Sequence, residues 1–171
     1  LLDEAYIDFA SKPGFLSRLD EFPNLIILQT LSKAWGMAGL RLGLAFAAEP
    51  VAELFARVKY PYNINGPTQR EVLERLTQPI TAQIAELRRE RLRTARTLAG
   101  CRAIERVYPS EANFLLVRTA APDRLYEALI RAGVIVRNRS RVAGCAGCLR
   151  ITVGRPEEND LLIRTIQNFQ P

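Results

Sequence analysis

Three side chains in the first part of this sequence have the types and order needed for covalent chemistry on a carbonyl compound. They are the carboxylate of Asp3, the amine of Lys33 and the guanidinium of Arg41. Lysine is scarce: of 24 basic residues, only Lys12, Lys33 and Lys59 are lysines. An amine can lose its proton and attack a carbonyl to form a Schiff base, whereas a guanidinium stays protonated. Lys33 stands in "TLSKAWGMAGLRLG", residues 30–43, where Thr30 and Ser32 add hydroxyls and glycines let the chain turn before Arg41. The planar guanidinium suits two-point contact with phosphate. The chain contains no histidine, which excludes Ser-His-Asp and Cys-His machinery. The glycines at 36, 39 and 43 spell neither a Walker loop nor a dinucleotide fingerprint.

These groups need a scaffold. "LLDEA" reads as the end of one strand, and "NLIILQT", residues 24–30, is a short continuous apolar run typical of a buried parallel strand. "FLSRLDEFP" between them supplies a short helical or irregular crossover. A strand-crossover-strand unit brings Asp3 and Lys33 to the carboxyl ends of strands, the edge where open parallel sheets bind ligands. Asp3 is expected there as a buried carboxylate in want of a cation. An amine nucleophile, such a carboxylate and an Arg/Ser/Thr phosphate clamp together match pyridoxal 5'-phosphate, with its aldehyde, pyridinium nitrogen and phosphate.

Farther along, "LRLGLAFAA", residues 40–48, reads as a third strand, followed by a helix from about Pro50 that Pro61 must end. "PYNINGPT" is a loop, in which Tyr60, Tyr62 and Asn63 read as ordinary loop packing. Helical periodicity covers 68–98, interrupted near Pro79, and the mixed charges of "ELRRERLRTAR", residues 86–96, read as a solvated helix face. "EANFLLVRT", "VIVRNRS" and "CLRITVG" read as strands, and "DRLYEALIRAG" and "PEENDLLIRTIQNF" as helices. The pattern is α/β, with a small α+β lobe at the end. We divide it at 1–66, 67–100 and 101–171.

Cys101, Cys145 and Cys148 are too few for a disulfide framework. The C-x-x-C pair lacks the further ligands of a zinc site and precedes a strand rather than a helix, so the cysteines read as small hydrophobes and no metal site is expected. Apolar runs fall far short of the roughly 20 residues that span a bilayer. No secretion signal is visible, so the expected location is the cytoplasm, away from membranes. The net charge of +6 is attributed to anion clamps and the mixed-charge helix, with no nucleic-acid partner.

"DEAYIDF" at 3–9, "TLSKAWGMAGLRLG" at 30–43 and "CLRITVG" at 148–154 resemble fold-type I pyridoxal-phosphate-dependent aminotransferases, specifically the histidinol-phosphate aminotransferase family. The resemblance runs in order along the whole chain. It implies a C-terminal part of such an enzyme: the end of the large, mostly parallel-sheet cofactor domain, then the small α+β domain. By this resemblance Lys33 forms the Schiff base and moves a proton between substrate Cα and cofactor C4', and Asp3 pairs with the ring nitrogen. Tyr6 would bond the cofactor's 3'-oxygen, Ser32 and Arg41 would hold the phosphate, and Thr30 would join them. Arg150 would bind the anionic group of the substrate, assisted by Arg137, with Arg139 and Arg141 as nearby rivals. The implied reaction converts histidinol phosphate and 2-oxoglutarate to imidazole acetol phosphate and glutamate, in histidine biosynthesis, by a homodimer. Alternatives are a threonine-phosphate decarboxylase-like enzyme, another amino-acid aminotransferase, or an aminotransferase-like sensor fused to a DNA-binding regulator. In the family, the groups that stack on the ring and select the imidazole belong to the preceding half, so this piece alone is expected to be inactive.

Overall fold

The computed structural model describes residues 1–170, which divide into two compact units, one over residues 1–82 and one from residue 83 onward. In the first unit, strands β1 (Leu2–Asp3), β2 (Ile26–Thr30) and β3 (Gly43–Ala47) form one sheet in that order. β1 runs parallel to β2, with Leu2 opposite Ile27 and Asp3 opposite Leu28. The crossover between them is two 3-10 turns, Ile7–Phe9 and Leu16–Glu21, rather than an α-helix. Pro13, Gly14 and Pro23 punctuate the segment too closely for a longer helix.

β3 runs antiparallel to β2, with Thr30 opposite Gly43 and Ile26 opposite Ala47. It begins at Gly43 rather than Leu40, because Ala38–Leu40 form a 3-10 turn and Arg41 adopts the left-handed conformation. Helix α1 (Glu49–Val58) follows, then α2 (Gly66–Leu76). α2 starts inside the expected loop because Asn65 caps it: its side-chain oxygen accepts from the Thr68 amide at 2.9 Å, and Pro67 occupies the first turn. Tyr60, Tyr62 and Asn63 are exposed.

α3 (Thr81–Ala99) leads into the second unit. There β4 (Arg106–Val107), β5 (Phe114–Arg118), β6 (Arg137–Asn138) and β7 (Cys148–Thr152) make an antiparallel sheet in the order β4-β5-β7-β6. α4 (Pro122–Arg131) and α5 (Pro156–Asn168) complete it. Strand alternation sends Leu115, Val117, Leu149 and Ile151 into one core with Leu125, Leu129, Leu162 and Ile166. Each such side chain contributes about 1.5–3 kcal/mol when fully buried. The same alternation puts Cys148 and Arg150 on the other face of β7.

The mixed-charge stretch of α3 is only partly solvated. Leu87, Arg91, Thr94 and Leu98 recur at helical spacing on the inward face, and Glu90 and Arg91 are buried. Arg91 Nη1 donates to the Ala112 carbonyl at 2.9 Å. Glu90 accepts from Arg93 at 2.8 Å and from Asn159 Nδ2 at 2.9 Å, while Arg93 also donates to Asp160 at 2.7 Å. The charges that looked solvated are therefore also internal ties. Among the described residues, no helix is long and apolar enough to cross a membrane.

Candidate active site

The lysine loop is built from its anchors outward. Leu31 and Met37 are buried against Val72 of α2, with Trp35, Leu40 and Leu42 packed around them. The Met37 amide donates to the Leu31 carbonyl at 3.0 Å, and the Gly36 amide to the Lys33 carbonyl at 3.1 Å. Gly36 has φ +67, a region that costs an L-residue about 1–2 kcal/mol, so glycine suits this turn. Both ends of the loop are pinned and Lys33 is presented at its exposed tip. Thr30 braces the near side: its hydroxyl accepts from the Ser32 amide at 3.1 Å and donates to the Leu42 carbonyl at 3.4 Å. Ser32 lies half-buried between Leu31 and Lys33.

Tyr6 meets this tip. Lys33 Nζ lies 5.4 Å from the centroid of the Tyr6 ring, and that ring packs on Phe9 at 6.4 Å with a 38° tilt. Phe9 is buried, so it anchors the aromatic pair. The fold thus joins the "DEAYIDF" and "TLSKAWG" segments at one amine.

Asp3 terminates β1 beside β2, as the strand-crossover-strand reading requires. It is exposed, however, and its Oδ1 accepts from the Ala5 amide at 2.9 Å. The buried carboxylate is its neighbour Glu4, which accepts from the Phe15 amide at 2.7 Å and from Gln29 Nε2 at 2.9 Å. Successive residues of a strand end point to opposite sides, so one acid faces outward and the other is held between the crossover and β2. Gly14 makes room for it: a Cβ there would lie 2.6 Å from a Glu4 carboxylate oxygen. Two adjacent acids in a sequence carry no signal that separates these roles.

Arg41 closes the segment. Its φ of 56 and ψ of 37 make it the one non-glycine residue with positive φ among the described residues. Its Nη1 donates to the Ala38 carbonyl at 2.9 Å. Strain of this kind persists where the surroundings impose it and clusters at functional sites.

In the second unit, the β6–β7 register sets Arg137 directly opposite Arg150. The Arg150 guanidinium carbon lies 5.2 Å from the Phe114 ring centroid, and its Nε is buried without a partner. Like charges directly opposite across strands are destabilising, and a buried unpaired donor costs about 1–3 kcal/mol. A bound anion would offset the first and can engage the rest of the guanidinium. Arg137 also lines an open groove with Tyr126, Arg139 and Arg141, so all three candidate arginines of this loop stand together.

The family model for aminotransferase class I and II matches residues 1–166. The chain belongs to this family. Histidinol-phosphate aminotransferase of Parabacteroides distasonis is 50% identical to this aminotransferase chain, over 99% of the chain and 50% of the relative. The crystal structure of histidinol-phosphate aminotransferase from Clostridium acetobutylicum has the same fold, with a TM-score of 0.88 at 24% identity, covering 96% of this chain and 52% of that one. The Sinorhizobium meliloti enzyme, solved in complex with pyridoxal-5'-phosphate, superposes with a TM-score of 0.81 at 24% identity, covering 97% and 47%. The aminotransferase chain spans about half the length of the curated relatives it matches.

Proposed function

We propose that the protein containing this chain is a pyridoxal-phosphate-dependent transaminase that interconverts histidinol phosphate plus 2-oxoglutarate and imidazole acetol phosphate plus glutamate. The observation that carries the reading is the Lys33 amine, presented on a pinned loop 5.4 Å from the Tyr6 ring centroid. Similarity to the Parabacteroides distasonis enzyme supports the choice of substrate. The donor set fits the cofactor, with an amine, a carboxylate at the strand edge, a phenol and a guanidinium-hydroxyl pair. When bound, pyridoxal phosphate supplies an aldehyde for reversible covalent attachment and an electron-withdrawing ring that accepts the charge left at a deprotonated Cα.

Lys33 Nζ would provide the covalent attachment point for the cofactor aldehyde, and its free amine would move the proton to and from substrate Cα. Asp3 would pair with the ring nitrogen and keep it protonated. The Tyr6 hydroxyl would donate to the 3'-oxygen. Arg41 and Ser32 would hold the phosphate, with Thr30 bracing Ser32 by accepting from its amide. Arg150 and Arg137 receive the substrate's anionic group, carboxylate in one half-reaction and phosphate in the other, because guanidinium geometry accepts both. We take the full-length protein to be a cytoplasmic homodimer acting on small molecules, as the family resemblance implies, and residues 1–171 alone to be inactive.

Borohydride reduction of the full-length protein loaded with pyridoxal phosphate, followed by peptide mapping, tests the assignment. The pyridoxyl label is expected on Lys33, with little on Lys12 or Lys59; an even spread over the three would overturn it. Turnover of histidinol phosphate with 2-oxoglutarate is expected, whereas carbon dioxide release from phosphothreonine would favour a decarboxylase. Strong labelling of residues 1–171 alone, with glutamate turnover, would refute their inactivity.

A further inference from the structure

We propose that Cys145 and Cys148 are a redox modification site: a thiol pair that closes into an intramolecular disulfide when exposed to a small disulfide oxidant. The connection from β6 to β7 is a run of three tight turns. The Val142 amide donates to Arg139 O at 2.9 Å, the Cys145 amide to Val142 O at 2.9 Å, and the Cys148 amide to Cys145 O at 3.0 Å. The last of these is a β-turn over Cys145-Ala146-Gly147-Cys148, and Gly147, its third residue, has φ +74. That is the conformation a type II turn demands at this position.

A β-turn holds its first and fourth Cα atoms within about 7 Å, which overlaps the roughly 4.4–6.8 Å from which a disulfide can close. Both cysteines are free thiols. The turn is also clamped from outside: the Thr119 amide donates to Gly147 O at 2.9 Å, and a Cβ on Gly147 would stand 3.0 Å from Thr119 O. The Cα atoms of the two cysteines are therefore held within disulfide reach by backbone clamped at Gly147, and closure asks the Cys148 thiol to give up its 3.7 Å contact with the Ala146 carbonyl.

Accessibility sets the order of events. Cys148 is almost fully buried and Cys145 half-buried, so Cys145 is the entry point. Burial, with Cys145 adding to it, pushes the Cys148 thiol up, while Arg118 and Tyr108 also face it and pull the other way. The Cys145 thiolate attacks one sulfur of a disulfide such as oxidised glutathione, forming a mixed disulfide and expelling one thiolate. The Cys148 thiolate then attacks the Cys145 sulfur and expels the second. Two protein thiols lose two electrons and two protons, and the oxidant becomes two thiols. Closure should quicken as pH rises, since the second attack waits on the raised Cys148 thiol. Cys101 takes no part: it is buried in the hydrophobic core of its unit, and its thiol donates to Thr97 O at 3.4 Å.

The test uses the full-length protein, incubated with oxidised glutathione at mildly alkaline pH, denatured, blocked with iodoacetamide and digested with trypsin. Cleavage after Arg141 and Arg150 releases "VAGCAGCLR", which contains both cysteines. The expected product is this peptide lighter by two hydrogens and unalkylated, reverting on dithiothreitol to a form that takes two alkyl groups. A persistent glutathione adduct on Cys145 with Cys148 alkylated, or alkylation of both, would overturn the proposal. Cys148→Ser should stop at the Cys145 adduct, and Cys145→Ser, at the more exposed position, should yield neither disulfide nor adduct.

Discussion

Replacing Arg150 by methionine should make the protein more stable while impairing its use of an anionic substrate. The argument is quantitative. Arg150 keeps a buried Nε without a partner, and removing such a donor returns about 1–3 kcal/mol. It also faces Arg137 directly across the β6–β7 ladder, and relieving that like-charge pair adds about 0.2–1 kcal/mol. Against this stands the guanidinium over the Phe114 ring at 5.2 Å, a contact worth about 0.5–1 kcal/mol. Methionine keeps an unbranched stem that can pack on the same ring. The net expectation is a gain of about 2 kcal/mol, within bounds of about 0.2–3.5, or about 4–8 °C in Tm for a chain of this size. Urea and thermal unfolding would measure the first effect, and the KM for glutamate in the full-length protein the second. Arg150→Lys retains charge without the planar two-point geometry, so its KM should fall between wild type and Arg150→Met. A loss of about 1 kcal/mol in Arg150→Met, or an unchanged KM, would refute the assignment of Arg150 to anion binding at a structural cost.

The neighbouring acids of β1 should separate cleanly. Glu4→Ala leaves the Phe15 amide and Gln29 Nε2 without their acceptor and should cost about 2–4 kcal/mol in unfolding experiments. Asp3→Asn keeps a side-chain oxygen for the Ala5 amide, so its stability should stay within about 0.5 kcal/mol, while turnover of the full-length protein in the proposed transamination should fall steeply. In acid, Glu90 should contribute to the loss of stability of the second unit, because its hydrogen bonds from Arg93 hold its carboxyl below the usual range, with Asn159 assisting against burial. As pH falls, the unfolded chain takes this proton first, near the ordinary value of about 4.3. The stabilisation is therefore fully present above that value and is lost as pH drops through the folded one. Glu90→Gln should flatten the acid limb of a stability-against-pH curve, and an unchanged limb would contradict the network.

Much of the strand-and-helix order was legible because apolar continuity and Pro/Gly punctuation act locally. "NLIILQT" became β2, "CLRITVG" gave the strand Cys148–Thr152, and Pro156 opened α5. Two features depend instead on partners distant in sequence, and one on a local backbone turn. The charges of α3 looked solvated because nothing nearby in the chain says that Glu90 will meet Asn159, 69 residues away. Strand-end position alone predicts a buried Asp3, yet the crossover's Phe15 amide and Gln29 of β2 donate to Glu4 instead. Apolar continuity starts the third strand at Leu40, but the left-handed turn at Arg41 delays it to Gly43.

By itself, the order of residue types determined which chemistry is available: one amine among arginines beside hydroxyls, a carboxylate at a strand end, and no histidine. These are properties of side chains and need no fold to state. Only the tertiary structure decided which groups meet. It set Lys33 over Tyr6 and Arg137 opposite Arg150, and it divided two adjacent acids between solvent and interior. Those outcomes depend on strand register and on which face a residue presents, and both are set by packing against segments remote in the chain.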